Sequence, residues 1–360
     1  MSWPAALLTK RRRVMALFVG AELLLVMSIP FLAIAGYHAL LDSHAGHFVE
    51  EPQPGEPGWR AVVDPSPLHA VVEMYDGDLT GIALLVGHID DSTGGTVVVI
   101  PGTLVVEGEP LAGRDPAAAV ASLGRTLRLR IPTHDVVDAE RWPAVLGSST
   151  YAVSNPDPVA GPDGQPLLAV GPMTVDGDNA ALFLGRPAPG SDPVTVLFRR
   201  HLFWSSTLAD PPAGDDPLAA VIAQVSGPSA QVVDLPLVAV TPRPEPDADA
   251  VEALVREIVP IPAGAVPGDR IQVRVVDRTG TADLATVAAD LAATGAEVVE
   301  IGNAPTFDGG TTVLVVPPEV DQSAVSDLAL AVGATTVADD EADGDAVVTL
   351  LIGVDLVTDR

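Results

Sequence analysis

The chain has 360 residues, with 19 basic and 48 acidic side chains, a formal net charge of −29 and no cysteine. Such an acidic surface excludes a collector of nucleic acid, because that affinity comes largely from Lys and Arg at phosphates. Without cysteine there are no disulfides, thiolate metal sites or cysteine nucleophiles.

The N-terminus predicts a membrane anchor. Residues 14–35 are apolar apart from Glu22, Ser28 and Pro30. As a helix they would span about 33 Å, enough to cross the hydrocarbon core of a bilayer. The four basic residues at 10–13 come just before this run, so the positive-inside tendency keeps them in the cytoplasm. We therefore predict a cytoplasmic tip at 1–13, a single-pass anchor at 14–36 and an extracytoplasmic body at the cell membrane.

Three alternatives stay open here. Ala33-Ile34-Ala35 resembles a signal-peptide cleavage site, although the apolar run is longer than a signal core requires. Glu22 is either a tolerated or a functional intramembrane acid. His38, His44 and His47 follow the anchor, but their spacing fits no ordered metal motif, and the stretch is typical of a linker.

The body begins with a Pro-, Gly- and acid-rich linker at 42–68. The strands and helices predicted beyond it indicate an α/β (α+β) fold. A first domain is predicted at 69–262. Residues 82–86 and 96–100 have the Val- and Ile-rich pattern of a β-hairpin. Further elements are predicted as a helix at 116–129, a strand and helix within 136–146, helical segments at 179–184 and 194–208, a strand at 231–240 and a helix at 250–258.

A second domain is predicted at 269–357, after a boundary rich in proline at 260–268. Strands are predicted at 271–276, 296–301, 311–316 and 346–352, with helices at 282–294 and 323–332. The order βαββαβ is that of the split βαβ plan, in which two helices pack on one face of a four-stranded antiparallel sheet. The sequence shows neither a Gly-rich phosphate loop nor a nucleophile–base pair in this domain.

The second domain resembles the C-terminal domain of LytR-CpsA-Psr (LCP) proteins. The order and the spacing of its segments both fit over nearly the whole 90 residues. The matching segments are Val275–Gly280, the Ala-rich helix that ends at Gly295, Glu300–Ala304, Thr311–Val313, Leu328–Gly333 and Leu351–Asp355.

The first domain resembles the LCP domain itself, in degenerate form. The matching segments are the hairpin at 82–100, the stretch His134–Val137 and Val175–Leu182. The resemblance implies transfer of glycopolymers from a polyprenyl pyrophosphate carrier onto peptidoglycan. In the family, arginines hold the pyrophosphate and aspartates hold a divalent cation, such as Mg²⁺.

This chain departs from the family at those residues. Gly102, Gly185 and Val196 occupy positions where the family has arginine. The cations left nearby are Arg186, Arg199 and Arg200, our candidate phosphate-binding residues, and Asp78 is the candidate metal ligand. The alternative for Arg199 and Arg200 is an ordinary solvated helix face.

Two functions follow. The first is a membrane-anchored, non-catalytic cell-envelope protein, in effect a pseudoenzyme, that binds an envelope component or a protein partner. It would need no cofactor and have no catalytic residue. The second is an LCP-type phosphotransferase with rearranged catalytic residues and Mg²⁺. The two are distinguished by whether Arg186, Arg199 and Arg200 converge near Asp78 at the mouth of an apolar tunnel.

Overall fold

The structure is a computed structural model, and it describes residues 52–87, 94–160, 165–185, 192–239, 241, 243–266, 268–318, 320, 322–338 and 347–358. Residues 54–360 form one compact unit. None of the helices within the described ranges has both the length and the apolar character needed to cross a bilayer. The predicted anchor at 14–36 and the histidines that follow it lie outside these ranges.

The described strands are β1 (Arg60–Val62), β2 (Leu68–Tyr75), β3 (Asp78–Val86), β4 (Thr96–Pro101), β5 (Val105–Val106), β6 (Glu109–Pro110), β7 (Thr133–Val137), β8 (Tyr151–Asn155), β9 (Val159–Ala160), β10 (Pro166–Leu168), β11 (Gly171–Val175), β12 (Gln231–Asp234), β13 (Gln272–Asp277), β14 (Glu297–Asn303), β15 (Val313–Val316), β16 (Thr335–Ala338) and β17 (Val348–Ile352). The described helices are α1 (Pro116–Leu127), α2 (Trp142–Leu146), α3 (Ala180–Gly185), α4 (Pro193–Ala209), α5 (Pro217–Val225), α6 (Ala248–Ile258), α7 (Leu284–Ala293), α8 (Gln322–Val332) and α9 (Val354–Thr358).

The middle part of the chain is built on a five-stranded mixed sheet in the order β12-β4-β3-β2-β7. Strands β2, β3 and β4 are antiparallel neighbours, whereas β12 and β7 pair in parallel at the two edges. The predicted hairpin is therefore confirmed as β3 and β4. All six residues of β4 are buried, which is typical of a strand covered on both faces.

Helices cover both faces of this sheet and give two separate cores. On one face, Val97 and Val99 pack with apolar side chains of α2, α3, α4 and α5. On the other face, Val98 and Ile100 pack with α1 and α6. The alternation of neighbouring valines between the two cores follows from the two-residue period of a strand. The middle part is thus a three-layer α/β/α sandwich.

The C-terminal part has a six-stranded mixed sheet in the order β1-β14-β13-β17-β15-β16. The pairs β13–β14, β13–β17 and β15–β16 are parallel, and only β1–β14 and β15–β17 are antiparallel. Helices α7 and α8 pack on one face over a core that includes Val273, Leu314 and Leu350. The predicted order of helices and strands is found, with one further strand, β16, before the last predicted strand.

The prediction of a four-stranded antiparallel sheet is wrong. Each helix here connects two parallel strands of the same sheet, as in βαβ units, whereas a split βαβ plan would separate those strands. Strand β16 was missed because all four of its residues are exposed, so the sequence shows no apolar alternation there.

Strand β1 corrects the prediction that 42–68 is only a linker. It joins the edge of the C-terminal sheet, with Arg60 opposite Gly302 and Val62 opposite Glu300. Backbone hydrogen bonds extend this pairing, since the Gly58 amide donates to the Ala304 carbonyl at 2.9 Å. A side chain at Gly302 would collide with the Trp59 carbonyl, so the glycine permits this close approach.

Candidate functional site

Helix α4 carries both candidate arginines, and both are buried. Asp192 accepts a hydrogen bond from the Val194 amide, and Pro193 follows as the first helical residue, a common way to begin a helix. Arg199 and Arg200 are each only 1% exposed. The alternative of a solvated helix face is therefore wrong for both residues, because α4 is covered by neighbouring elements along this turn.

Arg200 is held in a buried ion pair with Glu73, a residue that the sequence did not single out. The Arg200 Nε donates to Glu73 Oε2 at 2.7 Å, and the Trp204 indole donates to Glu73 Oε1 at 2.9 Å. The Arg200 Nη2 donates to the carbonyls of Thr80 at 2.6 Å and Leu184 at 2.5 Å. Both atoms of the carboxylate are engaged, so this pair is neutral and largely satisfied.

The ion pair depends on a glycine in the neighbouring strand. Gly81 lies opposite Glu73 in the sheet register. A Cβ atom at Gly81 would come within 2.7 Å of Glu73 Oε2 and would overlap the Arg200 guanidinium. A glycine inside an otherwise apolar strand marks a close approach of other groups. That signal in Leu79-Thr80-Gly81-Ile82 was available in the sequence, but it does not reveal which groups approach.

Arg199 differs from Arg200 in having an incomplete set of partners. Its Nε and Nη1 atoms are buried and donate to no acceptor among the residues that the structure describes. Burial and, to a lesser extent, the charge of Arg200 lower the pKa of Arg199 to about 10, while Asp157 acts in the opposite direction. The residue stays cationic at neutral pH, so a buried positive charge lies next to the neutral Arg200 pair.

Gly102 and Gly185, which the resemblance places at arginine positions of the family, lie where neighbouring atoms leave no space for a side chain. A Cβ atom at Gly102 would be 2.6 Å from the Leu79 carbonyl oxygen. A Cβ atom at Gly185 would be 2.5 Å from the ring of Tyr75. Real Cβ atoms essentially never approach other atoms this closely, so either arginine would require the surrounding backbone or ring to move.

Asp78, the candidate metal ligand, does not join this site. Asp78 is exposed at the tight turn between β2 and β3, paired in register with Tyr75. Arg186 lies outside the described residues. Within the described ranges, no three His, Asp or Glu side chains are grouped so that they would hold a metal ion. The predicted roles of Arg186, Arg199, Arg200 and Asp78 stay predictions.

A cavity of about 660 Å³ lies at the opposite end of α4 from Arg199 and Arg200. It is bordered by Ser205 and Leu208 of α4, Ser226 and Pro228 after α5, and the start of β12 at Val232. None of its lining residues is a candidate arginine or aspartate. This cavity, in the described part of the chain, therefore does not connect Arg199 and Arg200 to an apolar tunnel.

A second charged cluster joins strand β7 to helix α5. Arg141 forms a two-pronged ion pair with Asp216, at 2.9 and 2.8 Å, and contacts Asp135 at 2.7 Å. The hydrogen bond from Arg141 lowers the pKa of Asp216. His69 Nε2 lies 2.9 Å from Asp135, although out of line for a hydrogen bond, and burial lowers the pKa of this histidine. These contacts fasten an edge strand to the rest of the middle part.

Comparisons with known proteins identify the C-terminal part. Residues 270–356 match the family model described as LytR cell envelope-related transcriptional attenuator. This match confirms the LytR C-terminal domain that the sequence predicted at 269–357. No curated protein matches the chain.

Solved structures of LCP proteins align with the chain at low identity. The LytR-Csp2A-Psr enzyme from Actinomyces oris aligns over 58% of this chain and 96% of its own, with 16% identity and a TM-score of 0.38. TagV of B. subtilis aligns over 54% and 96%, with 13% identity and a TM-score of 0.38. The LytR-CPS2A-psr family protein YwtF (TagT), with bound octaprenyl pyrophosphate lipid, aligns over 58% and 92%, with 12% identity and a TM-score of 0.37. At these TM-scores the alignments assign no role to any residue of this chain.

Proposed function

We propose that this chain is a non-catalytic cell-envelope protein that binds an envelope component or a protein partner, held at the cell membrane by its N-terminal segment. The family match of residues 270–356 supports the cell-envelope context. The apolar run at 14–35 behind four basic residues supports the anchor. The acidic body argues against nucleic acid as the partner.

The state of Arg200 is the observation on which the non-catalytic assignment rests. A pyrophosphate group in a partly buried pocket requires several charge-assisted donors that are free to turn toward it. Arg200 instead donates to Glu73 and to the carbonyls of Thr80 and Leu184. Withdrawing Arg200 toward a phosphate would leave the Glu73 carboxylate buried without its cation, which is strongly unfavourable.

The crowding at Gly102 and Gly185 supports the same conclusion. Each missing charge-assisted hydrogen bond to phosphate would cost about 1.5–3 kcal/mol, so two or three losses weaken pyrophosphate binding by orders of magnitude. Because neither glycine has space for a Cβ atom, these positions do not regain a cation by a single substitution.

The alternative, an LCP-type phosphotransferase that uses Mg²⁺, is favoured by one observation. Arg199 is a buried cation with two N–H groups that have no hydrogen-bond partner within the described ranges. An anion that reached it would supply the missing acceptors. Arg199 is therefore the residue whose replacement tests the alternative.

The experiment measures transfer from a polyprenyl pyrophosphate-linked glycan to peptidoglycan by the purified full-length chain with Mg²⁺. We expect no transfer above the no-protein background. The variants are Arg199→Ala and, as a matched control, Arg256→Ala, whose arginine pairs with Glu252 on the solvent side of α6. Transfer by the wild type that Arg199→Ala abolishes and Arg256→Ala retains would establish the transferase and overturn the non-catalytic assignment.

A further inference from the structure

The C-terminal sheet has one face that no helix of the described chain covers. Helices α7 and α8 contact each other and pack on the same side, over the buried Val273, Val275 and Leu350. The alternate residues of the strands point to the other side. Parallel sheets in proteins are almost always covered on both faces, so an open face on a largely parallel sheet requires an explanation.

The register of the strands identifies the side chains on this face. Val276 lies beside Leu351 in the β13–β17 pair, and Leu351 lies beside Val313 in the β17–β15 pair. Val315 lies beside Val337 in the β15–β16 pair. These residues do not belong to the apolar core beneath the helices, and they are half-buried or exposed, with Val337 at 51%. We call the face formed by Val62, Val276, Thr349, Leu351, Val313, Val315 and Val337 the open face.

The charges on the open face are balanced, unlike those of the rest of the chain. The β1–β14–β13 register places Arg60, Glu300 and Arg274 on it together, and Glu297 lies beside Gln272 at its end. Arg60 Nε is 3.7 Å and Arg274 Nε is 3.2 Å from Glu300. Two positive and two negative charges here contrast with a net charge of −29 for the chain. Two copies of the molecule would repel each other over most of their surface, but not across this face.

We infer that the open face is the contact between two copies of this chain, packed sheet against sheet about a twofold axis. Such an interface is self-complementary, so each patch must suit an identical patch. The open face meets that condition, because its aliphatic half can pack on itself and its arginines can approach the glutamates of the other copy. A strongly acidic or strongly basic partner would meet equal numbers of like and opposite charges on this face, so its charge would give it no net attraction.

The size of the face predicts a weak dimer. Six strands about 4.8 Å apart, with three to seven residues each at about 3.3 Å per residue, give an area of roughly 400–600 Å² per copy. A standard stable interface buries about 800 Å² per partner, so dimerisation is expected to depend on concentration. High local concentration in a membrane would favour it.

The wild-type chain has no cysteine, which makes disulfide cross-linking specific. The experiment places a single cysteine at Thr349, near the middle of the open face, in the purified full-length chain. The control is Leu330→Cys, at a side chain that is 82% exposed on α8 and belongs to the covered side. With a mild oxidant we expect Thr349→Cys to give a cross-linked dimer that grows with protein concentration, and at least fivefold less dimer from Leu330→Cys.

A second substitution tests whether the aliphatic surface drives the contact. In the Thr349→Cys background, Val315→Glu is expected to remove most of the cross-link. Val337→Glu serves as a milder variant if circular dichroism shows that Val315→Glu does not fold, because Val337 is half exposed already. No cross-link at about 100 µM, equal cross-linking at Thr349 and Leu330, or a cross-link that a folded Glu variant leaves unchanged would each overturn the inference.

Discussion

The two sheets of this chain differ in how their faces are covered and in where their charged groups lie. The middle sheet is covered on both faces, and it buries a complete ion pair, Arg200 with Glu73, beneath α4. The C-terminal sheet is covered on one face, and its charged groups lie at the surface of the other. The comparison shows that the loss of an ion-pair partner has different consequences in the two sheets. In the middle sheet the remaining charge is buried and uncompensated, whereas on the open face water takes the place of the lost partner.

The largest effect is therefore expected from Glu73. Replacing Glu73 by Ala leaves the Arg200 guanidinium buried without its anion and should lower the free energy of unfolding by about 3–5 kcal/mol. Chemical denaturation monitored by tryptophan fluorescence measures the loss. The matched control is Glu252→Ala, which breaks an exposed pair with Arg256 and should cost less than about 1 kcal/mol.

A double variant distinguishes the cost of an unpaired buried charge from the cost of losing the side chain itself. Glu73→Leu with Arg200→Met removes both charges and should recover most of the stability, since buried ion pairs are often replaceable by apolar groups. If Glu73→Ala proved as mild as Glu252→Ala, the middle sheet would not depend on this pair, and the contrast between the two sheets would be lost.

The second prediction concerns strand β1, which precedes the middle part in the sequence but forms one edge of the C-terminal sheet. Removing residues 54–63 from the full chain exposes the edge of β14. It breaks backbone bonds such as Asn303 N to Trp59 O at 2.7 Å and Val63 N to Val299 O at 3.1 Å. With a net value near 1 kcal/mol per bond, the loss should be about 2–4 kcal/mol of local stability.

Hydrogen exchange followed by mass spectrometry localises this effect. Amides of 297–303 should exchange faster after the deletion, while the central strands at 272–277 and the middle sheet at 96–101 keep their protection. The same measurement on an isolated 269–357 fragment tests the predicted domain boundary. Unchanged protection of 297–303 without β1 would mean that the C-terminal sheet is complete without the preceding segment.

Sequence patterns predicted only part of the fold. The valines of β3 and β4, and the apolar spacing in α7, predicted those elements because one face or both faces are buried. The patterns missed β2 and β8, although both have buried residues, and they missed β1 and β16, where most residues are exposed. Strand order is likewise invisible, because it depends on contacts between segments far apart in the chain.

The candidate site was predicted in part for a similar reason. Family resemblance located Arg199 and Arg200 and the missing arginines at Gly102 and Gly185, but it gave no sign of Glu73. That residue lies 127 positions before Arg200, in a strand whose other residues read as ordinary core. A single acid in an apolar strand, with a glycine in the next strand, is compatible with several partners, and only the register selects one.

The smallest expected effect is a pH dependence at the edge of the middle sheet. Arg141 lowers the pKa of Asp216 below its ordinary value of about 3.8–3.9. A carboxyl group with a lowered folded-state pKa adds stability that is complete above the unfolded-state pKa and is lost as pH falls through the folded-state pKa. The wild type should therefore lose this contribution below about pH 4.

Asp216→Asn should lower the melting temperature at pH 6 by a few degrees and flatten its decline below pH 4, as measured by thermal denaturation between pH 2.5 and 6. The exposed Asp178→Asn serves as the control and should leave the shape of that curve unchanged. A parallel downward shift at every pH for Asp216→Asn would show that the amide loses packing or capping at α5 rather than the charge contact with Arg141.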